Sequence, residues 1–295
     1  MRLVSEAEDG AARHILHQAD FIAAKLTGLG GVSDHNNALK TGFDPETERW
    51  PDWVDNVIDP DVLPEARPVG AMLGPVLPQW IDHFGFSKHA QVHCGTTDSI
   101  AAFLAAAPLG VGHAVTSIGS TLAIKLLSPS RIDDPSIGLY SHKLGDHWLV
   151  GGASNAGGAV LSHYFEVDEI IALSAQMDPE RPTGLNYYPL LEPGERFPVN
   201  DPELAPVLTP RPEKDVVFLQ GVFEGLAAIE TRCYGAMVER GAGFPAKIFT
   251  AGGASKNAVL TAIRQKALGV KLYEAIHTEA AVGVAKVWKL AQAAG

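Results

Sequence analysis

The chain has 295 residues, 46% of them hydrophobic and 19% charged, with a formal net charge of −11 and a pI near 5.4. That composition describes a globular protein with enough length for one large domain or two. The acidic balance argues against nucleic acid as a main partner, since phosphate neutralisation needs clustered Lys and Arg, and no run of about 18 apolar residues predicts a membrane span.

Residues 6–27 carry Ile15, Leu16, Ala19, Ile22, Ala23 and Leu26 at helical spacing, and Thr27-Gly28 predicts the end of that helix. Ser33 to Asp44 form a polar, turn-rich stretch that reads as a solvated loop, and Trp50 and Trp53 read as its anchors to the core. Residues 56–75 are rich in proline and irregular, and a helix is expected over 75–84. Val92, His93 and Cys94 end a buried strand; Gly95 breaks it, and Thr96 and Thr97 can cap a helix running from Asp98 to Ala107. A domain boundary is placed near residue 92.

Strands are expected over 110–118 and 122–127 around Gly119-Ser120-Thr121, and over 137–142 and 147–152 around Gly145-Asp146. Helices come next at 154–165 and 168–176, then a long proline-rich excursion over 179–215 whose length implies a functional or packing role. A long amphipathic helix spans 216–241, with Phe218, Val222, Leu226, Ile229, Cys233, Ala236 and Met237 on one side. Lys247 to Ala251 form a short buried strand that runs into Gly252-Gly253-Ala254-Ser255-Lys256-Asn257 and a helix. Val270 to Tyr273 make a last strand and Glu279 to Ala293 a closing helix.

Chemistry concentrates in three places. Asp98 sits at a strand-to-helix junction, where a carboxylate either complements the helix dipole or faces a cleft. Gly119-Ser120-Thr121 and Gly252-Gly253 are either plain tight turns or cradles whose N–H groups and hydroxyls wrap a phosphate. Neither matches a Walker A loop or a Gly-x-Gly-x-x-Gly fingerprint. Gly151 to Gly158 read as close strand–helix packing. Cys94 and Cys233 read as apolar fillers. The eleven histidines are scattered without ligand spacing, so no metal site is assigned to protein side chains.

Taken together, Gly-Thr-Thr-Asp before a helix, Gly-Ser-Thr in a hairpin and Gly-Gly-Ala-Ser-Lys-Asn after a strand resemble, in that order, the FGGY carbohydrate kinases. Gln18 to Ala23, Leu26-Thr27-Gly28 and the stretch from Asp34 to Trp53 extend the resemblance over nearly the whole chain. It implies an α/β, actin-like ATPase (ribonuclease H-like) fold: a C-terminal nucleotide-binding domain over 93–295, and over 1–92 a helical remnant of an incomplete first domain. The resemblance also implies ATP and Mg²⁺, a small sugar as substrate, and phosphorylation of a pentulose such as D-ribulose or D-xylulose. Asp98 would be the catalytic base, with Thr97 beside it at the sugar. Gly119, Ser120 and Thr121 would meet the β- and γ-phosphates, and Gly252, Gly253 and Asn257 the rest of the nucleotide.

The sequence departs from the family's pattern in three ways. Ala254 stands where a third glycine is usual, and Leu260 where a tryptophan is frequent. The family's first phosphate turn, Asp-x-Gly-Thr, has no counterpart, so an apolar face including some of Ile15, Ile22 and Leu26 is expected to be exposed. A cytoplasmic kinase is expected, with the oligomeric state left open: a homo-oligomer, or completion by a separate N-terminal chain. The alternatives are an inactive or partner-dependent nucleotide-binding remnant and an actin-like structural module; the retained Asp98 speaks against the latter.

Overall fold

The computed structural model describes residues 14–293. The chain divides into two units, residues 1–104 with 142–146 and 279–295, and residues 105–141 with 147–278.

In the first unit, helix α1 spans Gln18–Thr27 and stops at Gly28 in the left-handed conformation. Residues 14–17 precede it without helical structure, and His17 and Asp20 form a reciprocal cap, so the helix is shorter than apolar spacing predicts. The predicted portion over 6–13 lies outside the described residues. On this helix Phe21 and Ile22 are exposed and Leu26 is half-buried, as is Ile15 in the segment before it, so only part of the expected apolar face is open.

Strand β1 (Val32–Asp34) pairs in parallel with β2 (Glu65–Arg67), and helix α2 (His35–Leu39) comes directly after β1. This corrects the loop expectation: Ser33, Asp34, His35, Asn36 and Asn37 are all buried. Polar residues can be buried when they satisfy one another, and here Asp34 accepts the amides of Asn36 and Asn37 at 2.9 and 3.1 Å. A one-turn helix α3 (Asp52–Asp55) comes next. Trp50 anchors its segment edge-on to Phe43 and donates to the Pro64 carbonyl at 3.2 Å, but Trp53 is exposed. Strand β3 (Met72–Pro75) pairs antiparallel with β4 (Gln91–His93), and helix α4 (Pro78–Phe84) lies between them in the chain. Helix α5 covers Asp98–Ala106.

A sheet of order β10-β9-β5-β6-β8-β7 carries β5 (His113–Ile118), β6 (Leu122–Ser128), β7 (Tyr140–Leu144), β8 (His147–Ser154), β9 (Lys247–Ala251) and β10 (Leu272–Glu274); all of it except residues 142–144 belongs to the second unit. Strands β5, β9 and β10 are mutually parallel, while β6 runs antiparallel to both β5 and β8. Helices α6 (Gly158–Tyr164), α7 (Val167–Ser174), α8 (Asp215–Glu239) and α9 (Ala258–Leu268) complete the unit. The closing segment is two helices, α10 (Ala280–Val284) and α11 (Trp288–Ala293), with a turn where one continuous helix was expected.

Helix α8 is buried on more than its predicted apolar side: Leu219, Phe223, Ala227, Glu230 and Tyr234 are also out of solvent. A charge there needs a partner. Glu230 is 0% and Arg264 of α9 is 1% exposed, and they meet through two hydrogen bonds of 2.6 and 2.8 Å. Thr116 of β5 donates to Glu230 at 2.6 Å, and Thr250 of β9 lies 3.4 Å from the guanidinium. Thr116 and Thr250 are register partners on adjacent strands, so the pair clamps two helices to the sheet centre. Burial and the neighbouring Glu230 charge push the Tyr234 hydroxyl above its ordinary pKa, keeping it protonated beside Thr116 at 2.9 Å.

Replacing Arg264 by Met should lower the stability of this unit by about 3–5 kcal/mol, because Glu230 is left as an unpaired buried charge. The double change Glu230→Met with Arg264→Met should cost less than either single change. Denaturant titrations of the three variants check this ordering.

Candidate active site

One group of candidate residues, in the first unit, is the loop that carries Asp98. Ile100 and Ala101 donate their amides to the Thr97 carbonyl at 3.1 and 3.0 Å, so the first turn of α5 starts there. Asp98 is exposed, and its Oδ1 accepts the Ser99 amide at 2.8 Å. Thr96 and Thr97 are buried. A side chain not singled out by sequence holds this loop: Asn36 Nδ2 donates to Thr96 Oγ1 at 3.2 Å and to the Lys143 carbonyl at 2.9 Å. Asn36 is in turn fixed by Asp34, the N-cap of α2. The Asp98 loop is therefore positioned by the polar stretch that sequence reading assigned to solvent.

This knot is electrostatically unusual. Asp34 is buried, and desolvation pushes its carboxyl up to about 6, against the lowering effect of hydrogen bonds from Asn37 and Asn36. Asp20, which accepts Ser33 Oγ at 2.8 Å, is also raised, chiefly by burial. Burial also drives the Cys94 thiol up to about 12, so it stays protonated and apolar in character, in line with the filler reading.

Because Asp34 binds its proton more tightly when folded, its stabilising contribution is complete below the ordinary value of 3.8 and is lost as pH rises through about 6. A shift of that size corresponds to roughly 3 kcal/mol. Relative to Asp34→Asn, the parent protein should therefore lose stability between about pH 4 and about pH 6. Paired thermal melts across that range check it; parallel curves would remove Asp34 as the source.

A second group of candidate residues lies in the sheet unit. Ser117 of β5 is the register partner of Ala251 of β9, and Leu122 of β6 that of Ser154 of β8. The turns Gly119-Ser120-Thr121, Gly252-Gly253 and Gly157-Gly158 therefore leave the same edge of the sheet, at the carboxyl ends of β5, β9 and β8. In α/β sheets this is the edge where ligands bind. The turns are in close backbone contact. Gly158 donates to the Gly119 carbonyl at 2.7 Å and Ala159 to the Ser120 carbonyl at 3.2 Å. A Cβ on Gly157 would stand 2.5 Å from the Ser120 carbonyl oxygen, and one on Gly252 would run into the Ile118 backbone. The Gly151–Gly158 run is thus a packing element, as read from sequence, and it packs on the Gly119-Ser120-Thr121 turn itself. Ser120, Thr121 and Gly253 are exposed.

Asn257 has a different place. Its Oδ1 accepts the amides of Val259 and Leu260 at 3.0 Å each, capping α9, and its Nδ2 donates to Ser174 Oγ at 2.8 Å. Both ends of the side chain are used to fix the helix after the turn. Leu260 is 0% exposed and belongs to the core, so it offers no ring-like surface to a ligand. Gly252, at φ 90, is the residue of this turn that needs glycine, while Ala254 sits at ordinary φ within the turn Gly253–Lys256.

A model of the FGGY family of carbohydrate kinases, C-terminal domain, matches residues 114–289, more than half of the chain. The chain belongs to the FGGY family. Solved structures agree on the fold. The xylulose kinase from Rhodospirillum rubrum matches with a TM-score of 0.82 at 23% identity, over 100% of this chain and 62% of that one. Gluconate kinase from Lactobacillus acidophilus gives 0.80 at 18%, over 96% and 59%. Plasmodium falciparum glycerol kinase with ADP gives 0.80 at 15%, over 99% and 61%. The FGGY chain described here thus spans about three fifths of the length of those structures, and it shares their actin-like ATPase fold.

In this FGGY domain, Gly252→Ala should destabilise the sheet unit by about 1–3 kcal/mol from backbone strain alone, with the Ile118 clash adding to it. Gly253→Ala, whose Cβ meets open space, should stay within about 0.5 kcal/mol of the parent. Denaturant midpoints of the two variants measure the difference.

Proposed function

We propose that this chain carries the nucleotide-binding edge and the catalytic base of an ATP-dependent sugar kinase, acting on a pentulose such as D-ribulose or D-xylulose. The observation that carries the reading is the convergence of three glycine turns on one edge of the sheet in an FGGY domain. Tight backbone approach with exposed Ser120 and Thr121 hydroxyls suits the oxygens of a polyphosphate. Gly119, Ser120 and Thr121 would cradle the β- and γ-phosphates, with Gly252 and Gly253 beside them. Asn257 would act by fixing α9 and so the course of the Gly252 turn. Mg²⁺ would enter with ATP, held by phosphate oxygens, water and carboxylates as a hard cation prefers, and would neutralise charge on the phosphates.

Asp98, exposed at the first turn of α5 with Thr97 beside it, would accept the proton of the sugar hydroxyl. The sugar oxygen forms a bond to the γ-phosphorus as the bond to the β–γ bridging oxygen breaks and ADP leaves. Positioning and charge neutralisation supply most of the rate in such transfers, and the base adds about 10²–10⁴-fold.

A second reading is favoured by length: the chain spans about 60% of the kinases it resembles, and on this reading sugar turnover is confined to a form that includes the remaining portion of those chains. ADP release with D-ribulose, D-xylulose, L-ribulose and glycerol, measured beside Asp98→Asn, separates the two. Turnover that depends on a pentulose and drops by at least about 10²-fold in the variant is the expected result. ADP binding without turnover by any sugar would instead establish the second reading.

A further inference from the structure

Two features of the sheet unit lie outside the three turns and the Asp98 loop: the excursion over 179–214 and a carboxylate buried within it. Glu195 is 3% exposed, and four donors surround it. Ser154 Oγ and Tyr188 Oη donate to Oε2 at 2.6 and 2.7 Å, and the amides of Asn155 and Arg196 donate to Oε1 at 2.7 and 2.8 Å. Hydrogen bonds to a carboxylate are short and stronger than those between neutral groups. The Arg196 guanidinium donates instead to Asn155 Oδ1 at 2.6 Å, and Asn155 Nδ2 donates to the Gly194 carbonyl at 3.0 Å, which seals the joint. Burial, then the neighbouring Glu195, raise the Tyr188 hydroxyl, so it remains a donor.

The joint leads directly to the phosphate-type turn. Ser154 Oγ, besides donating to Glu195, accepts the Ala156 amide at 3.0 Å. The Ala156 carbonyl accepts the Leu122 amide at 2.7 Å, and Gly158 donates to the Gly119 carbonyl at 2.7 Å. Gly157 leaves no room between this segment and Ser120. From Glu195 to Gly119 the chain of contacts is backbone and short polar side chains, without a flexible link.

We propose that Glu195 is a positioning residue for the Gly119–Thr121 turn, joining the 179–214 excursion to the backbone that would receive the nucleotide phosphates. The functional half of this rests on the phosphate reading of that turn; the structural half stands without it. The excursion is thereby part of the nucleotide site although none of its residues lies in the three turns.

The test uses the full chain, with amide hydrogen exchange read at residues 119–122 and 157–159 without nucleotide, and Mg·ADP binding read by calorimetry. Glu195→Ala should speed exchange of the Leu122 and Gly158 amides at least about tenfold and weaken ADP binding by a similar factor. Glu195→Gln should restore both to within about threefold, since its carbonyl can accept the two amides while Ser154 and Tyr188 reorient their hydroxyls. Glu224→Ala is the control. Glu224 holds Thr183 at the other end of the excursion, by hydrogen bonds of 3.0 and 2.6 Å, and its loss should leave residues 119–122 unchanged. Should Glu195→Ala fail to fold, Ser154→Ala cuts the same joint and should shift both readings in the same direction by a smaller factor. Unchanged exchange at Leu122 and Gly158 in the folded variant, equal loosening by Glu224→Ala, or no rescue by Gln would each overturn the proposal. A parent protein that binds no ADP would overturn the phosphate reading, and the exchange data would still decide whether Glu195 positions the turn.

Discussion

The second unit depends on the Glu230–Arg264 ion pair. Two charges taken wholly out of water are stable only when each satisfies the other, and here they do so from two different helices while also holding Thr116 and Thr250. Those threonines lie two residues before Ile118 and Gly252, at which the chain leaves the sheet. Helix register, strand register and the origin of two glycine turns are thereby fixed at one point. An apolar core alone would allow α8 and α9 to slide by small amounts; a bidentate guanidinium–carboxylate contact has one geometry.

The first unit solves a similar problem with weaker groups. Its buried polar stretch is held by neutral donors. Asp34 is matched to backbone amides and to Asn37, and Asn36 reaches across to Thr96. A carboxyl in such a place is comfortable when neutral and strained when charged, which is why its titration is displaced toward neutrality. In both units the side chains that orient the Asp98 loop and the glycine turns are polar and buried. The loops themselves are short, with Asp98, Ser120, Thr121 and Gly253 exposed.

This division explains what the sequence made legible. The hairpin around Gly119-Ser120-Thr121, the Gly145-Asp146 turn and the β9–turn–α9 run are local: alternation of apolar residues and glycine punctuation specify them within a dozen residues. The family resemblance rested on those same glycine turns and on the Gly-Thr-Thr-Asp before α5, and the family match includes the two turns. Ser33 to Asn37 misled because their burial draws on partners outside the stretch, Asp20 for Ser33 and, sixty or more positions away, Thr96 and Lys143 for Asn36. Glu195 was invisible for the same reason, its donors Ser154 and Asn155 lying some forty residues earlier. Asn257 read as a ligand contact because a cap and a ligand contact require the same residue type after a glycine turn.

The order of strands also bears on how the protein is made. Strands β5 and β6 are joined by three residues and can pair as soon as both are synthesised. The partner on the other side of β5 is β9, which begins at Lys247, more than a hundred residues later. Long-range pairing is slow because loop closure must precede the contacts that reward it. The β5–β6 hairpin can therefore pair early, whereas the Gly252 turn beside it must await β9. During synthesis the emerging chain holds only one of these two turns, with the flank of β5 unpaired, until α8 and β9 have emerged in turn. Any ligand that needs both turns will bind the finished unit alone and will act as a reporter, and a stabiliser, of completed folding.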